Sequence, residues 1–370
     1  VFFFEKKNQK TFALWRRLSS ERTPYEQKSF ASFLQKRRPF FFVQGIPRVA
    51  QPSYDILGIG NAIVDVVSAA DHAFLTRHDM HPGSMQLIDA ARADALYAVM
   101  PERRETSGGS AANTCAVAAH LGARVAFIGK VADDALGHAF RRDIAAMGVH
   151  FPSAPLQGGA PTARCLILVT PDAQRTMNTY LGACVAFGEH DVDTRLVAES
   201  AITYLEGYLF DPPAAQAAFR LAAHTARQAG RQVALSLSDA FCVNRHRAAF
   251  IELLGEIDIL FANEAEICSL FEVNDFAAAV DGARNLVPLA ALTQSEAGST
   301  IVRGAETVRV QAAPTHLVDS TGAGDAYAAG FLAAYTKGQD LAACGQLASA
   351  AAAEIISHYG ARPERKIEVA

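Results

Sequence analysis

DSTGAGDAYAAGF, residues 319–331, sets two glycines around an alanine, a carboxylate directly behind them, and then a run of small apolar residues. From Asp325 the pattern predicts a helix. Alanine and leucine favour it, Tyr327, Phe331 and Tyr335 recur at four-residue spacing, and Gly338 is a stop signal. The first N–H groups of a helix have no intrahelical partner and carry the positive end of the macrodipole. Gly322 and Gly324 adopt backbone angles that other residues resist, so these N–H groups can converge on one anion. Taken alone, the stretch leaves two readings of Asp325. It is a helix cap, or it is a catalytic carboxylate beside the anion site.

Working outward, short apolar runs alternate with helical patterns. Strands are expected at 54–60 and 124–129, and in ITYLEG, QVALSL, DILFA, PLAALT, STIV and TVRV. Helices are expected at 110–122, 134–148, 213–229, near 246–254 and across 264–285. This alternation implies an α/β fold, a mostly parallel sheet covered by helices on both faces. Two segments depart from it. Residues 163–182 read as a β-hairpin with a Pro-Asp turn, and strands within 63–109 are expected to join it in a small second sheet. A small β-sheet attached to an α/β core suggests a lid over a cleft. The folded unit is thus 51–370, with the lid drawn from parts of 63–109 and 159–183.

Charge separates residues 1–50 from the rest. They hold 11 Lys and Arg against 3 Asp and Glu, and nine of the 22 phenylalanines. Their balance is +8, while the remainder carries −12. We read them as a basic, Phe-rich extension outside the fold, a transit peptide being the alternative. The acidic body argues against nucleic-acid binding. No apolar run reaches the ~18 residues of a membrane span. The six cysteines include no CxxC pair, so they are expected to be buried thiols in a cytoplasmic protein.

Two phosphate-binding motifs fail on inspection. GIGNAIVD (58–65) starts like a dinucleotide fingerprint but has Ile63 where the third glycine belongs. Gly129-Lys130 is followed by Val131 and has Arg124 at the position of the first P-loop glycine. Better candidates are the paired glycines of SGGSAAN (107–113), with Asn61 and Asp65 earlier and NEAE (263–266) after the strand DILFA. Asn, Asp and paired glycines suit a grip on vicinal hydroxyls, because a carboxylate accepts two hydrogen bonds where glycine backbone comes close. Residues at the C-terminal ends of parallel strands line the ligand crevice.

GGSAANTCAVAAHLGARVAFIGKVADDALG and DSTGAGDAYAAGF resemble the two signatures of the ribokinase-like (PfkB) carbohydrate and nucleoside kinases, and NEAE is similar to that family's NxxE motif. The resemblance runs from residue 54 to about 363. GIGNAIVDV, GSMQLID, RTMNTYLGA, YLEGYLFD and LSLSDAF resemble the family's adenosine kinases.

The resemblance implies transfer of the ATP γ-phosphoryl group to the 5′-hydroxyl of adenosine, giving AMP and ADP, with Mg2+ as cofactor. It implies Asp325 as general base and Gly322, Ala323 and Gly324 as the anion hole. Asp65, Gly108, Gly109 and Asn113 are implied around the ribose hydroxyls, and Asn61, Gln86 and Tyr208 around the nucleoside, Tyr208 as a stacking surface. Asn263 and Glu266 would organise Mg2+ and ATP through water, and Arg175 would reach the phosphates from the lid. Thr293, Ser295 and Gly298 would form the nucleotide turn, although Ser295 replaces a frequent family glycine. The expected partners are a nucleoside and ATP, with the chain a monomer or homodimer. A kinase for inosine, guanosine or ribose, and a non-catalytic nucleoside-binding protein, are the alternatives.

Overall fold

A computed structural model of the chain describes residues 51–172 and 174–369; the extension 1–50 lies outside the described residues. In chain order the strands begin with β1 (Tyr54–Ile59), β2 (Ile63–Ala69), β3 (Met85–Leu87), β4 (Arg104–Gly108), β5 (Val125–Ile128), β6 (Val149–His150) and β7 (Ala163–Val169). They continue with β8 (Arg175–Tyr180), β9 (Ser200–Glu206), β10 (Gln232–Ser236), β11 (Ile259–Asn263), β12 (Leu289–Thr293), β13 (Ser299–Arg303) and β14 (Glu306–Val310).

Nine of these form the large sheet, in the order β14-β13-β12-β11-β10-β9-β1-β5-β6. Every pair from β12 to β6 is parallel, and β13 and β14 add an antiparallel edge. The sequence dictates burial on both faces, because the parallel strands are apolar at consecutive positions. In β11, Ile259 and Phe261 enter one core while Leu260 and Ala262 enter the other. The first core packs under the helices Ser110–His120, Ala323–Tyr335 and Leu341–Ile355; the second packs under Pro213–Gln228, Ala240–Leu253 and Phe276–Leu286.

The alanine-rich tract near 342–353 is explained by this packing. A Cβ on Gly330 would lie 2.7 Å from the Leu347 carbonyl, so Ala323–Tyr335 and Leu341–Ile355 approach as closely as their backbones allow. All six cysteines are free, and five of them are buried.

The other five strands make the small sheet, in the order β3-β8-β7-β2-β4. β7 and β8 form the expected hairpin, antiparallel from Arg164 opposite Tyr180 to Val169 opposite Arg175. The helix expected near 246–254 starts earlier, at Ala240, because Asp239 caps it by accepting from the backbone N–H groups of Phe241 and Cys242. Its backbone is broken at His246, whose ring pairs with Asp211 at 2.6 Å. No described helix is long and apolar enough to cross a membrane.

Candidate active site

The C-terminal ends of the central strands open into a cleft of about 870 Å³, closed on the other side by the small sheet. Asn61, Glu206, Ser236, Asn263 and Thr293 line it from the strand ends, and Asp65 lines it from β2. Thr321, Gly322, Ala323, Gly324 and Asp325 form its floor.

The helix Ala323–Tyr335 starts two residues earlier than its apolar pattern suggests. Gly322 is its N-cap, in the left-handed region at φ 77°, and has no side-chain capping bond. A Cβ there would also lie 2.7 Å from the Ala361 side chain, so both conformation and space require glycine. Asp325 is the third helical residue, and its carboxylate does not cap. Oδ1 accepts from the Ser110 hydroxyl at 2.6 Å and Oδ2 from the Asn113 amide at 2.9 Å. Burial raises its pKa; the Ser110 and Asn113 bonds and the Arg362 charge oppose that rise. The first-turn N–H groups and an oriented carboxylate thus face the same space.

The second glycine pair is fixed by close approach. Gly109 caps the helix Ser110–His120 at φ 98°, where a Cβ would meet the Asn61 carbonyl oxygen at 2.1 Å. A Cβ on Gly108 would lie 2.4 Å from Asp65 Oδ2. Burial pushes the Asp65 carboxyl up to about 6, against the charges of Arg362 and Arg175.

Several implied residues stand differently from expectation. Gln86 is not among the residues lining the cleft. β3 alternates, so Gln86 turns to donate to Asn178 at 2.6 Å while Met85 and Leu87 line the cleft. Asn113 is held at both ends, donating to Asp325 and accepting from Arg362, which leaves its oxygen engaged before any ribose arrives. Arg175 binds the turn itself, pairing with Asp319 and donating to the Thr321 hydroxyl at 2.7 Å. Burial works to raise Asp319, but bonds from Arg175, Gly360 and Thr321 hold it below the ordinary carboxylate range. Arg175 therefore ties the small sheet to the turn before the helix Ala323–Tyr335.

Asn263 and Glu266 form a capping box. The Glu266 carboxylate accepts from the Asn263 backbone and side chain at 3.0 and 2.6 Å, and Asn263 Oδ1 accepts from the Glu266 N–H at 2.9 Å. Burial pushes Glu266 up to about 7, and the charges of Asp239 and Asp325 add to it. Thr293 lines the cleft, whereas Ser295 and Gly298 shape the turn behind it.

Ser295 sits at φ 48°, which is where a glycine is expected. The left-handed region costs a side-chain-bearing residue roughly 1–2 kcal/mol, and glycine's extra chain entropy costs roughly 0.5–1 kcal/mol. Ser295→Gly is therefore expected to raise unfolding free energy by about 1 kcal/mol or less in urea titration. A clear loss of stability would show that the serine side chain holds the turn.

Sequence reasoning missed four features. Glu206, 1% exposed at the end of β9, accepts from the backbone and amide N–H groups of Asn61 and from the Ala111 N–H at 2.6 Å. Burial pushes it up to about 7. Its signal was a carboxylate closing an apolar strand immediately before a glycine. Ser110 lay inside a quoted motif but was read only as helix start. Arg362 lies in an irregular stretch after the last helix. The fourth is apolar: Met85, Leu87 and Phe241, exposed by 53, 60 and 74%, line this cleft beside the expected Tyr208, exposed by 42%. Such exposure gathered in one place marks a binding surface.

The pfkB family carbohydrate kinase model matches residues 84–367. The chain belongs to this family. The kinase is 51% identical to a solved adenosine kinase from Sinorhizobium meliloti, covering 85% of this chain and 97% of that one, with a TM-score of 0.79. It is 45% identical to a solved probable sugar kinase from Rhizobium etli, covering 86% and 97%, with a TM-score of 0.80. A nucleoside kinase from Methanothermobacter thermautotrophicus is 29% identical over 262 residues, 70% of this chain and 80% of that protein. The kinase is ribokinase-like and close to adenosine kinases, a phosphotransferase with an alcohol group as acceptor and ATP as co-substrate.

Proposed function

We propose that this kinase transfers the γ-phosphoryl group of ATP to the 5′-hydroxyl of adenosine. The observation that carries the reading is Asp325, a carboxylate oriented by Ser110 and Asn113 beside the first N–H groups of the helix Ala323–Tyr335. Phosphoryl transfer needs mainly positioning and charge stabilisation. Asp325 takes the hydroxyl proton as the oxygen attacks phosphorus, and the N–H groups at Gly322, Ala323 and Gly324 stabilise the transferring oxygens.

Asp65, with lone pairs open to the cleft, accepts from the ribose hydroxyls. Asn113 acts on Asp325 rather than as the main ribose ligand. Tyr208 and Phe241 on the core, and Met85 and Leu87 on the small sheet, supply apolar surface for a base, which favours a nucleoside over a bare sugar.

Among the described residues no group of three or more His, Cys, Asp or Glu is placed to hold a metal ion. Glu266 engages both oxygens with Asn263. This donor set fits Mg2+ carried on the ATP phosphates with its own waters. Bound there, Mg2+ supplies charge neutralisation at the phosphates.

The test is regiochemical. Adenosine incubated with ATP and Mg2+ is expected to give AMP phosphorylated at the 5′ position, and 5′-deoxyadenosine is expected to accept nothing. Phosphorylation of 5′-deoxyadenosine would place the acceptor on another hydroxyl. Residues 1–50 are proposed to contribute nothing to this chemistry. A chain starting at Gln51 is expected to fold and keep full turnover, and aggregation or most activity lost in soluble protein would contradict that.

A further inference from the structure

Arg362 is placed where the family signatures do not reach. It lies in the irregular stretch after the helix Leu341–Ile355, yet its guanidinium enters the wall behind Asp325. One nitrogen donates to Asn113 Oδ1; another donates to the Ser107 carbonyl and, at 3.0 Å, to the Ser107 hydroxyl. The bond to Oδ1 leaves Asn113 one orientation, with its NH2 group towards Asp325 Oδ2.

The charges around Asp325 are lopsided. Asp65 faces it from β2, Tyr204 and Glu206 from β9, Tyr208 from the turn that follows, and Glu266 from the helix Glu264–Phe271. All are acids. Its direct contacts from the helix Ser110–His120 are the neutral Ser110 and Asn113. Among the described residues, Arg362 is the cation whose charge favours an ionised Asp325. The placement is costly, since the guanidinium is desolvated and its Nε is buried without a hydrogen-bond partner. The charges of Asp65, Asp143 and Asp325 offset that cost.

We propose that Arg362 is a positioning residue for phosphoryl transfer, turning Asn113 so that it orients Asp325 and keeping the Asp325 carboxylate charged among its acidic neighbours. The stretch after the helix Leu341–Ile355 thereby completes the catalytic centre. This rests on the reading of Asp325 as the general base.

The test is the pH profile of kcat at saturating adenosine and ATP, which reports groups in the bound complex. A neighbouring cation lowers a carboxylate pKa by roughly 1–3 units. Arg362→Gln removes that effect, so the acidic limb is expected to move up by about one pH unit, lowering kcat about tenfold at pH values on that limb, while the freed Asn113 lowers the plateau several-fold. Arg362→Lys keeps the charge, so its limb is expected to stay at the wild-type position. Asp65 also feels Arg362, but its loss is read in the KM for adenosine. Burial pushes Glu206 and Glu266 up to about 7, so the shift is read as the difference between Arg362→Gln and Arg362→Lys, which keep these glutamates alike.

An unmoved limb in Arg362→Gln overturns the proposal, as does unchanged kcat. If the glutamine variant fails to fold, Arg362→Lys decides. An ammonium lacks the fork that reaches both Asn113 and Ser107, so a several-fold loss of kcat on an unshifted limb supports the proposal. Wild-type kcat in that variant overturns it. Asp325→Asn, run alongside, separates the two claims. Turnover retained there removes the base reading itself, whereas turnover lost there with an unmoved Arg362→Gln limb removes only the role of Arg362.

Discussion

Asp325→Asn is expected to lower kcat by about 10²–10⁴-fold, the usual contribution of general-base assistance. The substitution isolates the base because the local structure can absorb it. The N-cap is Gly322, so no capping bond is lost. The new amide oxygen can still accept from Asn113. The Ser110 hydroxyl, both donor and acceptor, can turn to accept from the new NH2 group. Adenosine affinity by titration calorimetry and the melting temperature are therefore expected to change little. Near-normal turnover in a folded variant would reduce Asp325 to a structural partner of Ser110 and Asn113.

Tyr208→Ala is expected to cost adenosine up to roughly a hundredfold in kcat/KM and to leave ribose almost unchanged. Stacking of a base on an aromatic ring contributes about 1–3 kcal/mol, and each 1.4 kcal/mol is about tenfold. Tyr208 is 42% exposed in its turn after β9, so truncation opens no sealed cavity and folding should hold. Phe241 lies in the same cleft, so part of the apolar surface survives and the loss should sit below that limit. Equal losses on adenosine and ribose would mean that Tyr208 shapes the cleft rather than meeting a base.

The sequence made the fold legible because its parallel strands are apolar at consecutive positions and glycines or caps punctuate its helices. Asp134 and Asp340, for example, cap helices where a polar residue precedes an apolar pattern. The two glycine turns were legible for the same reason, since a left-handed N-cap at Gly322 and a crowded Gly109 admit little but glycine. Contacts between distant segments were not. The resemblance implies Gln86 in the cleft, but the alternation of a three-residue strand does not say which face meets the cleft, and Met85 and Leu87 occupy that side. The resemblance implies Arg175 at the phosphates, and the sequence shows no partner for it; the fold pairs it with Asp319. Arg362 and Glu206 act through hydrogen bonds to residues far along the chain, and no local spacing encodes such pairs.

The central claim is that this kinase phosphorylates a nucleoside at a site built around its base. The most direct measurement is kcat/KM across adenosine, inosine, guanosine, ribose and fructose in a coupled ADP-release assay. Expected is adenosine first, then inosine or guanosine, because a site matched to one donor pattern leaves groups unpaired with another, and the bare sugars last. Ribose or fructose turned over as efficiently as adenosine would contradict the claim and assign the cleft to a sugar.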